Sequence, residues 1–326
     1  MKKGVLRGYS WRVKRIILWI VIAIFILLIP TIVVMCYVFR HVKYMGVDDH
    51  VNYPLQNVYK ASDYKLEGVE HTIRTDDDEE LWCSEISVEI PKGVIIYLGA
   101  MKEPSVTYFY PHAELMKELG YASFLLEVRS HGESSGRKLG LGFTEVEDVR
   151  ALVKYVKSVE KYKDVPIVLH GISLGGSIAI NSVAQIPEVD GCIAMSPFAS
   201  PDDQLELHFK SRHVPAFLTA AQRPFTHQAF RWIFGKEAAD QKTSKELIKK
   251  IGDKPVLVIA AREDPSVSVE NSYILQKASE KAEFWFRDTA DHYIITGNDL
   301  RNVKNDKEYR NYVEAFILKI VEEKAK

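Results

Sequence analysis

Between residues 93 and 325 the chain alternates two hydrophobic periods. Short runs such as Gly93–Leu98 (GVIIYL) and Val165–His170 (VPIVLH) are apolar almost throughout, as strands buried on both faces are. Between them come longer stretches with apolar residues three and four apart, the spacing of helices that bury one side. The pattern predicts strands at 67–75, 80–89, 93–98, 121–128, 165–170, 190–196, 255–261 and 282–287, and helices at 111–119, 144–159, after Ser173 and at 307–323. The first two strands flank the acidic turn Asp76-Asp77-Asp78-Glu79-Glu80 and read as a hairpin; the charge run reads as a solvated turn, not a calcium site. Strands alternating with helices imply an α/β fold: a mostly parallel eight-stranded sheet with right-handed crossovers and helices on both faces. One segment, about 199–247, breaks the alternation. It interleaves Phe209, Phe217, Phe225, Phe230, Trp232 and Phe234 with Arg212, His213, Arg223, His227 and Arg231. Too long for a simple loop and too aromatic for a disordered one, it is expected to form a helical cap; an elaborate crossover is the plainer alternative.

The N-terminus carries a different pattern. Ile16–Phe39 is free of charge and long enough for about 36 Å of helix, against roughly 30 Å of bilayer hydrocarbon. A signal peptide would have a shorter apolar core and a small-residue cleavage site, which Met35-Cys36-Tyr37-Val38 does not offer. The expectation is a basic tail at 1–15, one transmembrane helix at 16–39, a juxtamembrane linker at 40–66 and a folded body at 67–326. Lys2, Lys3, Arg7, Arg12, Lys14 and Arg15 precede the span and only Arg40 and Lys43 follow closely. Positive-inside logic therefore places the N-terminus in the cytoplasm and the body on the extracytoplasmic side. Residues 1–45 hold no acidic residue, so the rest of the chain is net acidic although the whole carries only −1. An acidic body without a basic stripe argues against nucleic acid as a partner. Cys36, Cys83 and Cys192 are too widely spaced for a zinc pattern or a disulfide framework.

Chemistry enters at Gly171-Ile172-Ser173-Leu174-Gly175-Gly176, where a predicted strand gives way to a helical pattern. Gly-x-Ser-x-Gly at that junction is the spacing of a nucleophile elbow. A serine on so tight a turn sits in a strained backbone conformation, and side chains at Gly171 and Gly175 would collide with the turn. Ser173 then stands at a helix N-terminus, whose free N–H groups favour developing negative charge. A serine nucleophile needs a base, and the base needs an acid to orient it. In chain order after Ser173 only His208, His213, His227 and His292 are available, and the first three fall in the expected cap. His292 follows the last strand, where carboxyl ends of strands gather a site, and is the candidate base. The acid should follow the preceding strand, where Glu263 and Asp264 compete; Asp264 is preferred because Pro265 favours a turn that aims its carboxylate back, with Glu263 in reserve. Asp291 is expected to be structural. For the oxyanion, the Leu174 N–H follows from the elbow, and Gly99-Ala100-Met101 makes the Ala100 N–H the second choice, with Met101 next.

These residues resemble the α/β-hydrolase superfamily, in the branch of monoacylglycerol lipases, membrane-anchored lysophospholipases and serine aminopeptidase-like hydrolases. The resemblance covers about residues 67–325 and rests on Gly171–Gly176, Asp264-Pro265-Ser266-Val267, His292 and Glu127-Val128-Arg129-Ser130-His131-Gly132-Glu133-Ser134-Ser135-Gly136. The last is similar to the family's D-x-R-G-H-G-x-S-x-G loop. Leu98-Gly99 stands where the family has His-Gly, Glu127 replaces an aspartate and Ser130 a glycine; His131 reads as a brace for the loop. The resemblance implies a serine hydrolase acting on small-molecule esters or thioesters, lipids or acyl chains among them, through Ser173, Asp264 and His292, with no cofactor and no metal. Amide or peptide hydrolysis, transfer to an acceptor other than water, and a non-catalytic scaffold are the alternatives.

Overall fold

Val94, Ile96 and Leu98 turn to one face of a central sheet and Ile95 and Tyr97 to the other, and all five are fully buried. They form β3 (Val94–Leu98) in a computed structural model that describes residues 10–25, 58–101, 103, 105–236 and 240–324. The sheet has eight strands in the order β1-β2-β4-β3-β5-β6-β7-β8. β2 (Glu80–Ile86) runs antiparallel to its neighbours β1 (Gly68–Arg74) and β4 (Ala122–Leu126). The rest, β5 (Ile167–Ile172), β6 (Gly191–Met195), β7 (Val256–Ala261) and β8 (Glu283–Arg287), pair in parallel. From β3 the chain goes out to β4 and returns to β5 on the other side of β3. The carboxyl ends of β3 and β5 thus flank the point where strand order reverses, the place where open α/β sheets form a crevice.

Both faces are covered. Helices α2 (Glu145–Ser158), α3 (Leu174–Gln185) and α6 (Glu270–Ala278) bring Val149, Leu152, Ile178, Val183 and Leu275 onto one face. On the other lie α1 (Tyr110–Glu118) and α7 (Lys307–Lys324), with Ala113, Met116, Val313, Phe316 and Ile320. Each of these side chains larger than alanine contributes on the order of 1.5–3 kcal/mol when fully buried. A polar pin crosses this second core. Tyr309 Oη lies 3.0 Å from His170 Nε2 on β5 and 3.3 Å from His112 Nε2 on α1. Burial drives both histidines toward the neutral form, His170 down to about 3.

The expected helical insertion after β6 forms two helices, α4 (Pro201–Ser211) and α5 (Ala216–Phe234). Ser200 caps α4 by accepting from the Asp203 N–H at 3.0 Å, and the Asp203 carboxylate in turn takes Lys245 Nζ at 2.6 Å and Arg223 of α5. Phe230 packs edge-on to Phe143 at 5.3 Å, whereas Phe217 and Trp232 stay 72% and 67% exposed.

The sequence pattern missed α6, whose polar first turn hides its period, and it ended β5 two residues early. The stretch expected to be a linker also proves partly built in. Ala61–Tyr64 forms a 3-10 turn, the Tyr59 N–H donates to Thr107 Oγ1 at 3.0 Å, and Leu66 is buried in the same core that α1 and α7 line. At the N-terminus, residues 11–25 are helical, with Ile16, Leu18, Trp19, Ile20 and Phe25 exposed. Among the described residues no helix is long and apolar enough to cross a membrane. The remainder of the expected span, 26–39, and most of the linker lie outside the described residues.

Candidate active site

Ser173 leaves β5 with φ 56° and ψ −116°, in a region that non-glycine residues rarely occupy. Its N–H donates to the Met195 carbonyl at the end of β6 (2.8 Å), and its carbonyl accepts from the Ser177 N–H (3.1 Å). The neighbouring glycines are required by close approach. A Cβ on Gly171 would fall 2.1 Å from the Gly175 carbonyl oxygen, and one on Gly175 would fall 2.2 Å from that of Leu98. The loop after β3 therefore rests directly on the first turn of α3. Leu174 opens that helix, so its N–H has no intrahelical acceptor.

Asp264 and His292 leave the ends of β7 and β8 and meet: Nδ1 of His292 lies 2.7 Å from Oδ2 of Asp264. The second carboxylate oxygen accepts from the N–H groups of Ser266 (2.7 Å) and Val267 (2.9 Å), and the side chain is 1% exposed. An Nδ1–H donated to this carboxylate leaves the lone pair on Nε2, the atom that can take a proton. Glu263 is exposed and its N–H donates to Thr289 O at 3.1 Å. Asp291 accepts from Thr289 Oγ1 at 2.8 Å. A residue that the motifs did not single out joins the two halves. Ser196, just past β6 with φ 44°, donates its Oγ–H to the His292 carbonyl at 2.8 Å. Since Met195 receives the Ser173 N–H, this ties His292 to the strand that holds Ser173. The only signal for it in sequence is a serine at a strand end.

On the other side, the loop from Gly99 to Ser105 is braced from the 127–136 segment. His131 Nε2 reaches the Met101 carbonyl at 3.0 Å. Glu127 accepts from Ser105 Oγ and, at 2.6 Å, from the Glu133 N–H. Burial pushes the Glu127 carboxyl up to about 7. Gly132, at φ 48°, makes room for it, because a Cβ there would fall 1.9 Å from Glu127 Oε2. Arg129 bridges Asp148 (Nη2 to Oδ1, 2.6 Å) and Asp77 (Nη1 to Oδ2, 2.7 Å), which holds the Asp77 carboxyl down at about 2. The Ala100 amide departs from expectation: it is engaged, donating to Tyr108 Oη at 2.7 Å. Among the described residues no group of three or more His, Cys, Asp or Glu is arranged to hold a metal ion.

Comparison with known proteins fits this arrangement. The family described as "Serine aminopeptidase, S33", a group of hydrolases, matches residues 89–274, more than half of the chain. An uncharacterized protein of Bacillus subtilis, YqkD, is 26% identical over 70% of this chain and 72% of its own length. Monoglyceride lipase of Rattus norvegicus is 35% identical over 94 residues, 28% of this chain and only 31% of the lipase. Among solved structures, the esterase Pf2001 of Pyrococcus furiosus superposes with a TM-score of 0.61 at 22% identity, over 80% of this chain and 94% of that one. Acylaminoacyl peptidase of Pyrococcus horikoshii gives a TM-score of 0.56 at 15% identity, over 76% of this chain and 41% of the peptidase. At such identities the structural likeness speaks for the α/β-hydrolase fold. The chain belongs to the serine aminopeptidase S33 family of α/β hydrolases.

Proposed function

We propose, from that membership, that this hydrolase is a membrane-anchored serine esterase that cleaves carboxylic esters or thioesters through an acyl-enzyme. One observation carries the reading: a histidine held by a buried carboxylate at 2.7 Å, tied through Ser196 to the strand end that also holds the elbow serine. In the proposed cycle His292 Nε2 takes the Ser173 proton as Oγ bonds to the acyl carbon. The carbonyl electrons move to oxygen, and the Leu174 N–H donates to the oxyanion. Collapse expels the alcohol or thiol, which leaves with the proton from His292. Water then repeats the sequence and frees Ser173. Lipid or acyl-chain substrates are favoured by the exposed Phe217 and Trp232 on the insertion and by the partial likeness to monoglyceride lipase. Exposed apolar side chains along residues 16–25 support a bilayer anchor, with the body extracytoplasmic.

A fluorophosphonate probe should label the parent and not Ser173→Ala, and a p-nitrophenyl ester series should give the chain-length preference. Labelling that survives the substitution would sink the nucleophile. Protease added to intact cells should digest the body; protection would reverse the orientation. Amide hydrolysis is the second reading, favoured by the family's description as aminopeptidases. A faster turnover of aminoacyl-p-nitroanilides than of the matching esters would select it.

A further inference from the structure

The amide expected to hold the acyl oxygen already has a partner, and that partner is a hydroxyl. Ala100 N–H donates to Tyr108 Oη at 2.7 Å in the interior. The same oxygen stands 3.0 Å from where a Cβ on Gly99 would lie, so it touches the loop both at Ala100 and at Gly99, whose carbonyl lies against the first turn of α3. The ring of Tyr108 lies 6.3 Å from that of Tyr293, the residue after His292. Tyr108 thus reaches from the loop after β3 toward the segment that carries the base. An oxygen at hydrogen-bond distance from the Ala100 N–H is where a substrate acyl oxygen would have to stand if that amide were its donor. The two oxygens cannot share the place.

We infer that Tyr108 takes over the role: its O–H is the second donor to the oxyanion, and the Ala100 N–H supports it from behind. This rests on the Ser173 reading proposed above. A tyrosine hydroxyl offers one donor and two acceptor sites. Ala100 uses one acceptor site, and among the described residues nothing accepts the Tyr108 proton. Accepting a hydrogen bond polarises the O–H and makes it a better donor. Burial raises the Tyr108 pKa well above its ordinary value, so the proton stays on the oxygen throughout the working pH range. The group is also preorganised. It sits in the 3-10 turn Val106–Phe109, packs at a tilt against Phe109 with centroids 5.1 Å apart, and the turn is capped by Ser105, which Glu127 anchors in turn. No bond breaks at Tyr108. As Ser173 Oγ bonds to the acyl carbon and its proton passes to His292, the new charge on oxygen is met by the Leu174 N–H and the Tyr108 O–H.

The test is Tyr108→Phe, assayed on a p-nitrophenyl ester and against a trifluoromethyl ketone that forms an oxyanion on the serine. A donor predicts a fall in kcat of about 10²-fold with KM nearly unchanged, and a parallel rise in Ki for the ketone. If Tyr108 merely blocks the Ala100 amide, its removal leaves kcat unchanged or raises it, and the inference is overturned. Should the variant fail to fold, 3-fluorotyrosine at position 108 keeps the shape and strengthens the donor. It changes kcat if the hydroxyl donates and leaves it alone if the role is structural. Where ester turnover is too slow, the rate of fluorophosphonate labelling reads the same effect. Ser173→Ala that retains activity overturns the nucleophile and this inference with it; Ser173-dependent turnover indifferent to Tyr108→Phe overturns this inference alone.

Discussion

On one side of Ser173 a carboxylate is fixed by its own neighbourhood; on the other a loop is fixed by groups from far along the chain. Asp264 takes its two amide donors from residues two and three positions downstream, and among the described residues its one distant partner is His292. The loop after β3 depends on His131 and Glu127, and their segment on Arg129, which is held between Asp148 and a hairpin residue, Asp77, 52 positions away. A local turn orients a charge cheaply and can be replaced without unfolding anything. A brace made of buried charges binds the stability of the fold to the shape of the site. Substitutions on the two sides should therefore fail differently.

The sharpest contrast is Asp264→Asn against Glu263→Gln. Asparagine keeps the shape and can still accept from Ser266 and Val267, but it cannot stabilise a protonated His292 or enforce the tautomer. Turnover of a p-nitrophenyl ester should fall by about 10⁴-fold, with the melting temperature little changed. Glu263 is exposed, so Glu263→Gln should stay within about twofold. Equal losses in the two variants would move the acid. On the braced side the readout should be stability. Asp148 is fully buried, and Asp148→Ala strips the Arg129 guanidinium of the partner that bonds its Nε and Nη2. A buried charge left short of its partner costs about 3–5 kcal/mol, measurable by urea unfolding of the full chain. An unchanged midpoint with a large loss of rate would erase the distinction between the two sides.

The same division decides what could be read from the sequence. Strand periods, the glycines around Ser173 and the chain order of the proposed acid and base are local or ordinal features, and each lies open in the residues. The sheet and both helical faces follow from runs such as VIIYL and from the helical spacing of Val149, Leu152 and Val156. What stayed hidden is contact between distant side chains. Ser196 meets His292 across 96 residues, and nothing in either segment announces it. Tyr108 lies in no motif, and only the fold brings its hydroxyl to Ala100. The 58–66 stretch looked like linker because its apolar positions follow no clear period, yet Leu66 is buried in the core with Tyr59, Ala61 and Tyr64 packed against the same cluster.

The smallest predicted effect probes the brace by pH. Glu127 is fully enclosed, with one amide and one hydroxyl donor, and its carboxyl is raised to about 7 from an ordinary value of 4.5. A carboxyl raised by folding favours the native state in its neutral form. That contribution is complete below about pH 4.5 and is lost as pH rises through about 7. Glutamine is a permanently neutral analogue. Its oxygen can accept from the Glu133 N–H and its amide can donate to Ser105 Oγ, so both contacts survive. Unfolding free energies of the parent and Glu127→Gln should nearly coincide at pH 5 and separate toward pH 8 in favour of glutamine, by about 3 kcal/mol at most. A gap that instead opens in favour of the parent as pH rises would mean that Glu127 is ionised in the fold, held by its donors strongly enough to outweigh burial. Glu127 would then resemble Asp264, a carboxylate satisfied where it stands, and the contrast between the two sides of Ser173 would narrow to the distance from which each is held.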